Sequence, residues 1–159
     1  MAKGEKMNQL FKKLFKNNLF WLISILVLAT ALRFYKLAQV PSGMTWDEAA
    51  IGYNGQAILN TRRDEWLERL PVSFKSFGDF KAPLAIYLNG FFTEVFGMNL
   101  WAVRLPFALS GVLAVLGIYY LSQSLTEYFQ IKLKFLSKNQ AGLITALLLA
   151  TSPWHLHFT

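Results

Sequence analysis

Two neighbouring carboxylates, Asp47 and Glu48, are the residues of this chain best suited to chemistry. They lie in Thr-Trp-Asp-Glu-Ala at 45–49, shortly after the first apolar segment. A carboxylate within hydrogen-bond reach of a hydroxyl can take its proton as the oxygen attacks an electrophile. A structural explanation is also open, because a threonine followed three residues later by glutamate is a capping box at a helix start. We expect Glu48 to be the cap, which leaves Asp47 free to face a cleft.

Two cations, Lys81 and Arg104, are candidates to bind an anionic group of a substrate. Lys81 stands before Ala82-Pro83, where the proline suits the first turn of a helix, and Arg104 stands before Leu105-Pro106. A cation there can hold a phosphate and stabilise its charge as it departs. Arg33 is a third candidate. The structural alternatives are contact with lipid headgroups for Lys81 and an anchor at the start of an apolar segment for Arg104.

Tyr53 and Asp79 are predicted as further substrate contacts, although loop charge is the commoner explanation for Asp79. His155 and His157 are two residues apart, so on a helix they point in different directions and do not form a metal pair. Cysteine is absent, which excludes a thiolate metal site. We therefore predict no metal ligands, while a requirement for a divalent metal stays open.

Composition indicates a membrane protein. Of the 159 residues, 54% are hydrophobic and 16% are charged, and the apolar residues fall in blocks. The net charge of +7 would suggest nucleic acid as a partner of a soluble protein. Here the lysines flank the apolar blocks, which favours orientation in a membrane and no nucleic acid.

The apolar blocks predict an all-α integral membrane protein. Its three transmembrane helices alternate with a basic cytoplasmic tail, a long extracytoplasmic loop and a basic cytoplasmic loop. A cleaved signal peptide is the alternative for the first apolar block, but a small-residue cleavage site is lacking. The positive-inside tendency places the long loop, with all the candidate chemistry, outside the cytoplasm. In chain order the segments are 1–18 (tail), 19–35 (first span), 36–104 (extracytoplasmic loop), 105–122 (second span), 123–140 (cytoplasmic loop) and 141–159 (third span).

The segment Leu84 to Phe96 is predicted as a juxtamembrane amphipathic helix. Thirteen residues with a glutamate do not comfortably span a bilayer, so the helix is expected to lie at the interface. One helical face is apolar, and a weakly polar stripe runs beside it. The apolar face comprises Leu84, Leu88, Phe91, Phe92 and Val95, and the stripe comprises Ala85, Asn89 and Thr93.

An extracytoplasmic site narrows the chemistry. Nucleotide sugars stay in the cytoplasm, so the activated sugar available outside is a polyprenyl-phosphate glycoside. Its phosphate is already a good leaving group, whereas a neutral acceptor hydroxyl needs a base. A single base opposite the leaving group predicts inversion at the anomeric carbon.

The ordered set of motifs resembles the N-terminal part of the GT-C glycosyltransferases related to protein O-mannosyltransferases and to lipid A aminoarabinose transferases. The resemblance covers residues 19–159, and it rests on the series rather than on any one motif. The series is Trp46-Asp47-Glu48-Ala49 with Tyr53, Lys81-Ala82-Pro83-Leu84 with Tyr87, Phe96-Gly97, Trp101-Ala102-Val103-Arg104-Leu105-Pro106 and Ser152-Pro153-Trp154-His155.

The resemblance implies a multi-pass enzyme of the plasma membrane with its active site outside the cytoplasm. It implies a polyprenyl-phosphate sugar as donor and a hydroxyl of a protein or glycolipid as acceptor. Asp47 would be the catalytic base with Glu48 as its partner, and Lys81 matches the basic residue before the proline. Many members have Pro-Pro where this chain has Ala82-Pro83. Such enzymes have many more spans, so we expect the front part of a larger fold, inactive alone.

Two other functions stay open. A non-catalytic small subunit or scaffold would keep this architecture without chemistry, and would have a stable partner containing further spans. A transporter would be favoured by charges buried within the spans.

Overall fold

Six helices and one short hairpin account for most of the residues that the structure, a computed structural model, describes. These residues are 17–76, 78–130, 136–157 and 159. Nearly all of the predicted basic tail at 1–18, together with Lys132 and Lys134, falls outside them. The elements are α1 (Asn18–Phe34), α2 (Trp46–Thr61), β1 (Phe74–Lys75), β2 (Phe80–Lys81), α3 (Pro83–Phe96), α4 (Leu100–Tyr128), α5 (Lys138–Thr151) and α6 (Pro153–His157).

The chain divides into two units. The described residues of Tyr35–Leu109 form one, which we call the loop unit. Those of Met1–Phe34 and Ser110–Thr159 form the other, which we call the helical unit. In the helical unit α1 packs against α5. Small residues permit this packing, because Ala29, Ala146 and Ala150 are fully buried. The buried core of the helical unit comprises Leu22, Ile25, Ala29, Val115, Tyr119, Leu143, Ala146 and Ala150.

Among the described residues, one helix is long and apolar enough to cross a membrane. This is α4, whose 29 residues enclose the predicted second span at 105–122. The predicted first span coincides with α1, a shorter apolar helix of 17 residues. The arrangement of three spans therefore stays a prediction, supported by length and composition at α4.

The predicted third span, 141–159, is not one continuous helix. Helix α5 ends at Thr151, Ser152 is extended, and the five-residue helix α6 follows. The physical reason is Pro153, which has no N–H to donate within a helix and disfavours helical geometry at the residue before it.

Helix α2 of the loop unit begins with the predicted capping box. The Glu48 amide donates to Thr45 Oγ1 at 3.2 Å, and the Thr45 amide donates to Glu48 Oε2 at 2.8 Å. Helix α2 ends at Thr61, where Arg62 adopts a left-handed conformation with φ of 58°. The expectation that Glu48 caps this helix is confirmed.

Helix α3 begins at Pro83, as its proline predicts, and crosses α2 at two glycines. A Cβ built on Gly90 would lie 2.6 Å from the backbone oxygen of Gly55. The weakly polar stripe of α3 is its buried face: Asn89 Nδ2 donates to Val103 O at 2.7 Å, and Thr93 is 1% exposed. The apolar positions Leu84, Leu88, Phe91 and Val95 are the exposed face. Close backbone contact and internal hydrogen bonds explain why small and polar residues face the protein.

The β1–β2 hairpin was not predicted from the sequence. Phe74 pairs with Lys81, and Lys75 pairs with Phe80, in antiparallel register. Phe74 is buried with Ile58 and Ile86 in the core of the loop unit. The hairpin therefore holds Lys81 opposite Phe74, which is anchored in this core.

The glycine crossing predicts that Gly90→Ala destabilises the loop unit. Its Cβ would meet backbone rather than a flexible side chain, so the helices must separate, at a cost of about 1–3 kcal/mol. Gly117 is the matched control, because a Cβ there meets nothing within 4 Å in its helix. Thermal unfolding in detergent micelles, followed by circular dichroism, should show a lower Tm for Gly90→Ala and an unchanged or higher one for Gly117→Ala. Equal Tm shifts would contradict the close crossing.

Candidate active site

Arg104 ties together the segment that leads into α2. Its side chain is 7% exposed, and all five N–H donors of the guanidinium have acceptors. Nε donates to Glu48 Oε1 at 2.6 Å, and Nη2 donates to Glu48 Oε2 at 3.2 Å. The other donors reach three backbone oxygens: Leu37 O at 2.9 Å, Pro41 O at 3.0 Å and Gly43 O at 2.7 Å. The guanidinium is saturated by the protein.

Glu48 is held from two sides. Its carboxylate accepts from Arg104 and from the backbone amide of Thr45, which begins the capping box. Burial by itself would raise the pKa of Glu48, but the hydrogen bonds and charge of Arg104 and the bond from Thr45 outweigh it and lower that pKa. Both oxygens of Glu48 therefore have protein donors, which favours a structural role at the helix start over the predicted role as catalytic partner of Asp47.

Asp47 has a different environment from its neighbour. Its Oδ1 accepts from Lys81 Nζ at 2.6 Å, and its side chain remains 75% exposed. Asp47 Oδ2 has no hydrogen-bond partner among the residues that the structure describes. One oxygen is thus fixed by a cation while the other stays accessible.

Lys81 lies between two carboxylates and is itself largely buried. Its side chain is 11% exposed, and Nζ is 2.6 Å from Asp47 Oδ1 and 3.5 Å from Asp79 Oδ2. The hydrogen bond to Asp47 raises the pKa of Lys81 despite its burial, and the charges of both aspartates add to this. Lys81 therefore stays an ammonium group at neutral pH.

An open cleft of about 580 Å³ lies beside Asp47. Trp46 and Tyr53 present rings to it that are 92% and 58% exposed. Exposed aromatic rings and carboxylates together suit a hydroxylated substrate, since rings offer apolar faces and carboxylates accept from hydroxyls. The lining residues are Trp46, Asp47, Ala49, Ala50, Tyr53, Glu65, Ser76 and Asp79.

The predicted site residues separate into two groups. Asp47, Lys81 and Asp79 come together, and Tyr53 lines the same cleft. Arg104 instead pairs with Glu48, so its geometry favours a structural role over contact with substrate phosphate.

Sequence reasoning missed Glu65 and Ser76 as lining residues. Glu65 is positioned because its amide donates to the Asn54 side chain at 3.0 Å. That contact joins residues eleven positions apart through a turn, and nothing in the linear pattern marks it.

Arg33, the third cation considered from sequence, belongs to the helical unit. It is 4% exposed, and its Nη1 donates to Ala29 O at 3.1 Å and to Ala150 O at 3.3 Å. Its Nη2 contacts His155 Nδ1 at 2.5 Å. A buried charge of this kind was not foreseen from the sequence, and here it bonds a carbonyl near the end of α5.

Among the described residues, no group of three or more histidine or acidic side chains is placed to hold a metal ion. Between Asp47 and Asp79 the cation is the Lys81 ammonium.

A helical fold with a helix of membrane-spanning length, and a cleft lined by two aspartates that both pair with Lys81, indicates a candidate membrane enzyme. The chain belongs to the dolichyl-phosphate-mannose-protein mannosyltransferase family, whose model matches residues 80–159. This is a family of GT-C membrane glycosyltransferases that use lipid-phosphate-linked sugars. The matched region includes Lys81, Arg104 and His155, and it begins after Asp47 and Glu48. Searches of curated proteins and of solved structures found no match.

Because all five N–H donors of the Arg104 guanidinium have acceptors, we predict that Arg104→Gln is strongly destabilising. Removing one partner of a buried ion pair leaves the other charge uncompensated, which costs about 3–5 kcal/mol. Arg104→Lys should recover part of this loss, because an ammonium keeps the charge but has fewer donors and no planar fork. The measurement is Tm in detergent micelles, with Arg69→Gln at an exposed position as control. Full stability of Arg104→Lys would refute the five-donor role.

The lowered pKa of Glu48 predicts a loss of stability in acid. Because the folded-state pKa lies below the ordinary value of 4.5, the unfolded chain binds the proton more readily. The contribution of Glu48 is therefore complete above about pH 4.5 and is lost as the pH falls through the folded-state pKa. Glu48→Gln, which keeps the capping geometry, should flatten this acid limb in unfolding measured from pH 3 to 7. Glu68→Gln, at an exposed loop position, should retain it; a limb unchanged in Glu48→Gln would argue against the assignment.

Proposed function

We propose that this chain forms the base-bearing part of a membrane glycosyltransferase. It transfers a sugar from a polyprenyl-phosphate carrier to a hydroxyl of a protein or glycolipid at the extracytoplasmic face. Family membership supports the class of donor. The observation that carries the proposal is the contrast at the start of α2, where Glu48 is bound on both oxygens and Asp47 keeps one oxygen accessible.

Asp47 is the general base of this proposal. Its Oδ2 is oriented by the bond between Oδ1 and Lys81, and its side chain lines the cleft. The acceptor hydroxyl gives its proton to Asp47 as the hydroxyl oxygen forms a bond to the anomeric carbon. The bond from that carbon to the phosphate oxygen breaks, and its electron pair leaves with the lipid phosphate. Attack opposite the leaving group inverts the anomeric carbon.

Lys81 supplies positive charge for the departing phosphate. An ammonium group has three donors, and one strong bond to Asp47 leaves donors for a second anion. This places the base and the phosphate-binding cation next to each other. Helix α2 therefore supplies the group that accepts the proton of the acceptor hydroxyl, and the hairpin supplies the group that binds the departing phosphate. Arg104 acts through Glu48 as a positioning residue and takes no part in phosphate binding.

The cleft holds the acceptor in this proposal. Tyr53 and Trp46 offer stacking surfaces beside Asp47, and the Tyr53 hydroxyl has no hydrogen-bond partner among the described residues. The loop unit lies on the extracytoplasmic side in this proposal, where lipid-linked sugars are the available donors. The exposed apolar face of α3 lies in the membrane–water interface.

The decisive variant is Asp47→Asn, tested in the protein encoded by the complete reading frame that contains residues 1–159. Loss of a general base should lower transfer from polyprenyl-phosphate mannose to a serine-containing peptide about 10²- to 10⁴-fold. The amide oxygen still accepts from Lys81, so membrane insertion and Tm should be unchanged. Glu68→Gln is the matched control, since it neutralises an exposed carboxylate of the loop unit that does not line the cleft, and it should retain transfer.

Retained turnover in Asp47→Asn would remove the base assignment. Absence of transfer by the wild-type protein, with correct insertion and a stable partner containing further spans, would favour the non-catalytic scaffold instead.

A further inference from the structure

We propose that Asp79 is a placeholder for the substrate phosphate. Its carboxylate covers the side of Lys81 that the lipid-linked phosphate takes, and the incoming donor displaces it. This inference rests on the proposed function, because it assigns regulation to the same lysine. It gives Asp79 a competitive role in place of the direct substrate contact predicted from the sequence.

The two aspartates hold Lys81 unequally. The distance from Nζ to Asp47 Oδ1 is 2.6 Å, whereas the distance to Asp79 Oδ2 is 3.5 Å. Strong charge-assisted hydrogen bonds are about 2.7–2.9 Å long, so the second contact is an ion pair without a well-formed hydrogen bond. The Asp79 side chain is also 61% exposed. Asp79 is therefore the partner that an anion can replace while Asp47 stays bound.

The backbone keeps Asp79 beside Lys81 in any case. The Ser76 amide donates to Asp79 O at 2.9 Å and closes the hairpin turn, in which Gly78 has a φ of +84°. Asp79 directly precedes β2, in which Lys81 lies, and its Oδ2 is 3.5 Å from Lys81 Nζ. The Asp79 carboxylate can thus rotate away and return without any movement of Lys81.

The charge balance makes this exchange necessary. Asp47, Asp79 and Lys81 together carry a formal net charge of one negative unit, so an anion that approaches the intact triad is repelled. When the Asp79 carboxylate swings outward, the remaining Asp47–Lys81 pair is neutral and the free ammonium donors face the phosphate. Asp79 therefore weakens the binding of any phosphate to Lys81, and a lipid tail supplies the additional affinity that offsets this competition.

Asp79→Asn should tighten phosphate binding. The contact between Asp79 and Lys81 lacks a well-formed hydrogen bond and the Asp79 carboxylate is exposed, so removing this competitor should raise the affinity by up to about fivefold. The probe is citronellyl phosphate, a short prenyl phosphate, titrated into the 159-residue chain in phosphatidylcholine nanodiscs and followed by ³¹P NMR. Lys81→Met should abolish the specific shift.

Glu65→Gln is the matched control, because it removes the same charge from the cleft lining without an ion pair to Lys81. The expected result is tighter binding in Asp79→Asn than in Glu65→Gln, with helicity by circular dichroism equal to the wild type.

Two results would overturn the inference, and they differ in what they imply. Lys81-dependent binding that is equal in wild type, Asp79→Asn and Glu65→Gln would refute the placeholder while leaving the proposed donor site intact. Binding that does not depend on Lys81 in any variant would refute both the placeholder and the lysine's role in the proposed function. An equal gain in both carboxylate variants would assign the effect to general charge in the cleft and would also overturn the inference.

Discussion

The buried contact between Arg104 and the start of α2 is the interaction on which the loop unit depends. One guanidinium bonds the Glu48 carboxylate and three backbone oxygens from Leu37 to Gly43. A planar cation with five donors suits this task, because it can satisfy several carbonyls and a carboxylate at once. The contact fixes the position at which α2 begins and therefore the direction in which Asp47 points.

Two carboxylates adjacent in sequence thus have separate roles. Glu48 is bound within the capping box and by Arg104. Asp47 instead pairs with Lys81 and lines a cleft that also has exposed aromatic residues. The hairpin adds Asp79 to the same lysine. Membership of the mannosyltransferase family gives this arrangement its chemical context, because that family uses lipid-phosphate-linked sugars. In the proposed function Asp47 is the base for the acceptor and Lys81 is the cation for the leaving phosphate.

Local sequence signals predicted where the helices start, but they did not predict the long-range contacts. The Thr45–Glu48 capping box and the helix beginning at Pro83 were readable because each depends on a few neighbouring residues. The pairing of Glu48 with Arg104 joins residues 56 positions apart, and side-chain type alone did not distinguish it from phosphate binding. The polar stripe of α3 was readable as a stripe, but its burial depends on contact with Gly55 and Val103. The hairpin was not predicted because each of its strands has only two residues.

The most direct test of this division of roles is chemical rescue with formate. Transfer is measured for Asp47→Ala and Glu48→Ala in the protein encoded by the complete reading frame, with and without added formate. A small carboxylate can occupy the space left by a missing base, but it cannot restore a helix cap tied to Arg104. We predict that formate restores part of the transfer rate in Asp47→Ala and none in Glu48→Ala. Rescue of Glu48→Ala, with none for Asp47→Ala, would contradict it.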